Sequence, residues 1–255
     1  MIDITSINNQ QVKEWKKLHT KKERKKTQSY ILEGYHLVEE ALRYAKKDIK
    51  HIIVREDILR NPEYLKLVID PDFITTVSVQ VANEISDTES NQGIFAVVSI
   101  PLAKEFDLID KPFLLLDAVQ DPGNVGTMIR TADAAGFQGV ILGKGSVDLY
   151  NSKTLRSAQG SHFHLDVFEG DLNNYISEVK GQGLTVYGTA LNEKAISYKE
   201  INEVNPFALI VGNEGSGISK EIMTLIDQNI YIPMKGQSES LNVAIAASII
   251  MFHLN

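Results

Sequence analysis

The chain has 255 residues, 43% of them hydrophobic and 23% charged, which is ordinary globular composition and enough for one large domain or two smaller ones. It contains no cysteine, so disulfides, thiolate metal sites and cysteine nucleophiles are all excluded. No run reaches the roughly 18 apolar residues of a membrane span. The polar opening, Met1 to Gln11, lacks the apolar stretch of a signal peptide, and with the cysteine-free composition it leads to the expectation of a cytoplasmic protein.

The net charge of −7 is unevenly spread: residues 1–50 carry 12 Lys and Arg against 7 Asp and Glu, and the other 205 carry 14 against 26. Positive charge gathers at Lys13, Lys16, Lys17, Lys21, Lys22, Arg24, Lys25 and Lys26. A basic block on an acidic body suits a polyanion partner, although a solvated helix face would read the same way.

In chain order, Asn9 to Thr27 is polar and long enough for one helix. Tyr30–Glu33 reads as a short strand, and Tyr35–Ala45 as a helix with Leu37, Val38, Ala41 and Leu42 on one face. His51–Val54, Ile74–Val79 and Ile94–Ile100 read as strands. This alternation predicts a compact α/β domain over residues 1–103. The charged stretch that follows, set between Pro101 and Pro112, reads as a linker over 104–111.

A second domain, 112–255, opens on the all-apolar strand Phe113–Leu116, the pattern of a parallel strand buried on both faces. A helix over Val125–Ala135 stops at Gly136. Strands follow at Gly139–Leu142, His164–Phe168, Leu184–Thr189, Phe207–Val211 and Ile230–Ile232. Helices are expected at Ser152–Gln159, Leu172–Lys180, Ser219–Ile226 and Leu241–His253. The expectation is a doubly wound parallel sheet of about six strands, in which ligands bind beyond the carboxyl ends. The loops after Leu116, Thr189, Val211 and Ile232 are therefore the places for a site.

Three of these loops carry polar residues in distinctive spacing. In the first, Pro122-Gly123 is a turn, Asn124 sits where a helix N-cap belongs, and Arg130 follows six residues on. Capping alone would explain Asn124, and a surface ion pair would explain Arg130. The second, Gly212 to Ser219, has Gly212, Gly215 and Gly217 around Glu214, a spacing that fits neither a dinucleotide fingerprint nor a P-loop. In the third, a strand ends at Pro233 and a polar loop leads into a helix that Ser240 can cap.

Taken together, Asp117-x-x-x-Asp121-Pro122-x-Asn124-x-Gly126-x-x-x-Arg130-Thr131-Ala132, Val211-Gly212-x-Glu214-x-x-Gly217-Ile218 and Ile232-Pro233-Met234-x-Gly236-x-x-x-Ser240-Leu241-Asn242-Val243-Ala244 resemble, in order and spacing, the three signature motifs of the SpoU family of the SPOUT superfamily. The resemblance runs from Phe113 to the C-terminus. Arg24 to Gly34 and the helix after it are similar to the N-terminal substrate-binding domain of many members.

The resemblance implies a trefoil-knotted doubly wound parallel-sheet catalytic domain with a smaller N-terminal α/β substrate-binding domain. The ordinary connection rules alone would not suggest a knot. It further implies an S-adenosylmethionine-dependent RNA ribose 2′-O-methyltransferase, a homodimer through the catalytic domain, and no metal. The cofactor is expected on Thr189, Ala190, Leu191, Gly212, Ile232, Met234 and Leu241. Arg130 is the implied catalytic arginine, with Asn124 orienting it or the ribose. Glu214 either holds Asn124, Arg130 or the third loop, or acts as the base; Ser240 and Asn242 fix the loop and the ribose. Lys21, Lys22, Arg24, Lys25 and Lys26 are expected to bind RNA, and Tyr30, Tyr35 and His36 either stack on bases or simply pack. Ribosomal RNA is the expected substrate, with tRNA, or an RNA-binding protein without activity, as the alternatives.

Overall fold

The computed structural model describes residues 2–65, 67, 71–102, 104–107, 111–201 and 206–255. The chain forms two compact units: Met1–Leu102 with Tyr150–Phe163, and Ala103–Leu149 with His164–Asn255.

The first unit contains β1 (Ile2–Ile4), α1 (Gln10–Lys17), α2 (Lys21–Thr27), β2 (Ser29–Glu33), α3 (Tyr35–Tyr44), β3 (Ile49–Arg55), α4 (Pro62–Leu65), β4 (Ile74–Val77), α5 (Val79–Ile85) and β5 (Ile94–Ser99). The strands form one mixed sheet in the order β1-β4-β3-β5-β2. Period-two alternation splits its apolar residues between two cores. Tyr30, Leu32, Ile52, Val54, Ile94 and Ala96 face Leu37, Val38 and Ala41 of α3. Ile31, Ile53, Phe95 and Val97 face Val12 and Trp15 of α1 and Val81, Ala82 and Ile85 of α5.

The single polar helix expected over Asn9–Thr27 is two helices. The Thr20 side chain accepts from the Glu23 N–H and starts α2 afresh. The strand read to Val79 ends at Val77, because Ser78 caps α5. Strand β1, three residues at the sheet edge, is too short for a periodic signal.

The second unit contains β6 (Phe113–Asp117), α6 (Pro122–Ala134) and β7 (Gly139–Gly143). Next comes α7 (Ser152–Ala158), whose Leu155 belongs to the core of the first unit. The chain then continues in the second unit with β8 (Asp166–Gly170), α8 (Leu172–Gly181), β9 (Thr185–Thr189), β10 (Ile196–Ser197), β11 (Phe207–Gly212), α9 (Lys220–Met223), β12 (Gln228–Tyr231) and α10 (Val243–Leu254). The sheet has seven strands, all parallel, in the order β10-β12-β9-β11-β6-β7-β8. The two-residue edge strand β10 makes it one wider than expected. Phe113, Leu115, Ile141, Ala208 and Ile210 pack against α8 and α9. Helices α6 and α10 pack on each other, α6 also against β7 and α10 against β11.

Two sequence readings change. Helix α7 was expected in the second domain, but residues 150–163 group with the first unit. Part of the expected linker, residues 108–110, lies outside the described residues. Within it, however, Phe106 packs its ring 4.9 to 5.2 Å from Phe113, Phe168 and Tyr175, so that position belongs to the second core. Among the described residues no helix is long and apolar enough to cross a membrane.

Candidate active site

The site lies beyond the carboxyl ends of β6, β9, β11 and β12, where a parallel sheet places its ligands. Asp121, not Asn124, is the N-cap of α6; its Oδ1 accepts from the Asn124 N–H at 2.8 Å. Pro122 causes this correction: with no N–H to satisfy and φ already helical, it starts the helix three residues earlier than expected. The Asn124 side chain is thereby released from capping and serves as a bridge.

Its Nδ2 donates to Glu214 Oε1 at 3.0 Å, and its Oδ1 accepts from Asn242 Nδ2 at 2.9 Å. Glu214 also accepts from the backbone N–H groups of Asp121 (3.1 Å) and Gln120 (3.2 Å). Burial pushes this carboxyl up, but the hydrogen bonds from Asn124 and the backbone outweigh burial and hold it below the usual carboxylate range. A carboxylate so satisfied is a poor proton acceptor at neutral pH. The geometry favours holding Asn124 and argues against the alternative of Glu214 as the base.

Asn242 likewise replaces Ser240 as the cap of α10. Its Oδ1 accepts from Ala244 N at 3.0 Å and Ile245 N at 3.3 Å. Ser240 accepts at its carbonyl from Ser238 Oγ at 2.9 Å and lines the cavity. One chain of side chains, Glu214–Asn124–Asn242, therefore joins the three loops. Further along, Ser248 Oγ lies 3.2 Å from Thr131 Oγ1, and Asn255 Nδ2 donates to the Ala135 carbonyl. Successive contacts advancing together along both helices show that α6 and α10 run parallel.

Beside this network is a cavity of about 570 Å³. All seven residues expected to hold the cofactor line it: Thr189, Ala190, Leu191, Gly212, Ile232, Met234 and Leu241. Sequence reasoning missed Val211, Asn213, Ala246 and Ile250, which also line it. Asn213 could have been found as the neighbour of Glu214. Ala246 and Ile250 could not, because α10 is apolar on every face and does not declare which side meets the cavity.

Size and chemistry fit S-adenosylmethionine. The volume is in the range of small-ligand pockets, and Leu191, Val211, Ile232, Met234 and Leu241 provide apolar walls for an adenine. Glu214 and Glu239 are the charged residues of the lining, with neither Lys nor Arg. Such a wall favours a cationic sulfonium and disfavours a nucleotide polyphosphate. Gly212 has a packing reason of its own. A Cβ there would stand 2.1 Å from the Gly217 carbonyl carbon, so glycine is what lets the 213–217 loop close on itself.

The structure brings Asn124, Glu214, Ser240 and Asn242 together, but it does not bring Arg130 with them. Arg130 is exposed on α6, outside the cavity lining, and without an ion pair or hydrogen bond among the described residues. The surface ion pair that would have explained it structurally is therefore not seen there.

In the first unit, Lys21, Lys22, Lys25 and Lys26 are exposed on α2, with Lys26 paired to Glu23 at 3.0 Å. Arg24 must be removed from the expected RNA-binding set. It is 3% exposed, and its Nη1 donates to the Leu18 carbonyl at 2.8 Å, tying α2 to the end of α1. Tyr30 is buried with its ring 4.5 Å from Tyr150, which is the packing reading. Tyr35 is half-buried, and the exposed His36 meets the Gln159 carbonyl at 3.0 Å. Replacing Lys21, Lys22, Lys25 and Lys26 by Ala should flatten the salt dependence of RNA binding. Each lost phosphate contact removes about 0.7 to 0.9 from the log–log slope. Filter binding across a salt series reads this out, and an unchanged slope would reject the helix as the footprint.

A model of the SpoU rRNA Methylase family matches residues 111–252, and one of the MRM3-like substrate binding domain matches residues 9–96. The 23S rRNA (guanosine(2553)-2′-O)-methyltransferase RlmP of Bacillus subtilis strain 168 is 50% identical over 254 residues, covering 100% of this chain and 99% of that protein. Among solved structures, the AdoMet-bound rRNA methyltransferase from Sinorhizobium meliloti aligns with a TM-score of 0.86 at 30% identity, covering 98% of this chain and 96% of that one. An RNA 2′-O ribose methyltransferase aligns with a TM-score of 0.84 at 28% identity, covering 99% and 97%.

Proposed function

This chain belongs to the SpoU rRNA methylase family, and from that premise we propose that it transfers a methyl group from S-adenosylmethionine to a ribose 2′-hydroxyl of ribosomal RNA. The observation that carries the reading is the chain Glu214–Asn124–Asn242 beside a cavity walled by apolar residues and carboxylates. Similarity to a guanosine-specific 23S rRNA 2′-O-methyltransferase extends over the whole chain, so a 23S guanosine is the first candidate nucleotide.

The cofactor, when bound, supplies a methyl group already made electrophilic by a positive sulfur, so the transfer needs no metal. Its adenosyl part would be held by Leu191, Ile232, Met234 and Leu241, and by backbone groups of Thr189, Ala190 and Gly212. The residues of the chain must hold the ribose in line and assist loss of the hydroxyl proton. Arg130 neutralises the RNA phosphate beside the ribose, and the hydroxyl proton, made strongly acidic as its oxygen gains the methyl group, passes late in the transfer to a phosphate oxygen or to water. Free arginine, titrating above about 12, is an awkward base. Asn124, gripped on both sides, and Asn242 set the position of the ribose, and Ser240 holds the third loop against the cavity.

The reading includes a homodimer through α10. Ile245 (53% exposed), Ile249 (36%) and Phe252 (61%) form a stripe at i, i+4 and i+7 that nothing in this chain covers among the described residues. It also includes the knotted threading of the third loop and action in the cytoplasm. With Arg130 outside its own cavity, the dimer would bring it to the partner's. Labelled S-adenosylmethionine, the purified protein and separate ribosomal RNA and tRNA pools test the reading. Label is expected in 2′-O-methyl nucleotides of ribosomal RNA. Label in tRNA alone would reassign the substrate, and absence of both label and calorimetric cofactor binding would leave an RNA-binding protein.

A further inference from the structure

The first loop turns sharply where it leaves the sheet, and one of the two loops that hold the turn lies outside all three motifs. Ala118 has φ +55°, the left-handed region that a residue with a Cβ rarely adopts. A turn of this kind persists only where its surroundings determine it. The 143–147 turn provides those surroundings. Gly145, at φ +89°, brings the chain so close that a Cβ there would stand 3.2 Å from the Ala118 Cβ. Ser146 N donates to the Gly143 carbonyl at 3.0 Å and closes the turn. Ser146 Oγ then accepts from Val119 N at 3.1 Å and donates to the Leu116 carbonyl at 3.1 Å. Val147 N completes the clamp on the Val119 carbonyl at 2.9 Å.

The next polar groups of the same loop are held from the opposite side. Asn213 Nδ2 donates to the Ala118 carbonyl at 2.9 Å, and Glu214 takes the N–H groups of Gln120 and Asp121. The backbone leading into α6 is therefore gripped between two loops. Only one of them, the Glu214 loop, also touches the cavity.

Resting on the methyltransferase reading, we propose that Ser146 is a positioning residue for methyl transfer. Its single hydroxyl bridges the end of β6 to the left-handed turn, and so sets the direction in which α6 presents Asn124 and Arg130. Ser146 is half-buried and outside the cavity lining, so it acts through the loop and not by touching substrate or cofactor. Its hydroxyl is suited to this because one atom serves as donor and acceptor together.

The test compares the parent with Ser146→Ala and Ser146→Thr as full-length proteins. Ser146→Ala is expected to lose about 10- to 100-fold in kcat, the scale of a misplaced reacting group. The RNA KM and the calorimetric affinity for S-adenosylmethionine should be unchanged, and Ser146→Thr, which keeps the hydroxyl, should recover most of the rate. Undiminished kcat in Ser146→Ala would overturn the proposal. So would a loss of cofactor affinity and melting temperature in step with kcat, which marks general destabilisation. The parent is the control for the underlying reading: if it fails to methylate RNA, that reading fails, whereas an active parent with an equally active Ser146→Ala refutes the positioning role alone.

Discussion

Arg130→Ala should lower methyl transfer by about 100- to 1,000-fold, the range for removing one preorganised charge-stabilising donor, and leave affinity for S-adenosylmethionine unchanged. The two halves of this expectation come from different facts. Arg130 is exposed and does not line the cavity, so its removal takes nothing from the cofactor's walls. It also has no internal ion pair or hydrogen bond among the described residues, so truncation leaves no buried partner unsatisfied and the fold should hold. The loss should appear in kcat under saturating cofactor, with Arg130→Lys intermediate, since an ammonium keeps the charge but not the two-pronged grip on phosphate. If Arg130 works at the partner's cavity, mixing Arg130→Ala with Glu214→Ala under subunit exchange should restore activity, because one site of each mixed dimer is intact. Single-turnover methylation measures both effects. Full activity in Arg130→Ala would remove the residue from the chemistry.

Glu214→Ala is expected to be the other severe lesion, for a different reason. It strips the acceptor from Asn124 Nδ2 and from two backbone N–H groups at once, and the Asn124–Asn242 bridge loses its anchor. The groups are partly open to water, so the stability loss should be modest, about 1 kcal/mol. The activity loss should be much larger, about 100-fold, since a shift of an ångström in a positioned group is enough. The same carboxylate gives a pH signature. Its pKa in the fold is below the ordinary Glu value of about 4.3, so its hydrogen bonds stabilise the protein fully above that value. That contribution is lost as pH falls through the folded pKa. Glu214→Gln should therefore flatten the acid limb of melting temperature against pH while leaving the neutral region nearly unchanged. A limb of equal steepness in parent and variant would show that Glu214 is not strongly held.

Much of the architecture could be read before any coordinates. The apolar runs Phe113–Leu116 of β6 and Phe207–Val211 of β11 announce a parallel sheet with both faces covered, and the polar loops beyond them mark the ligand end. The seven cofactor-site positions reached through the family resemblance all meet at one cavity. Short or displaced elements escaped: β1 and β10 are too brief for periodicity, and α7 joins the first unit because Leu155 finds its core there. No local pattern can report such a choice, since the residue is equally apolar in either setting.

Chemical identity along the chain settled which loops could hold a cofactor and which residues could carry charge. It could not decide which of several equivalent polar groups performs each task. Asp121 and Asn242 were as able to cap as Asn124 and Ser240, and Arg24 looked like any other member of a basic run until burial tied it to Leu18. The Asn124 side chain, once freed from capping, takes its partners from 90 residues away in Glu214 and 118 residues away in Asn242. A one-dimensional spacing holds no record of such distances; packing the sheet is what creates them.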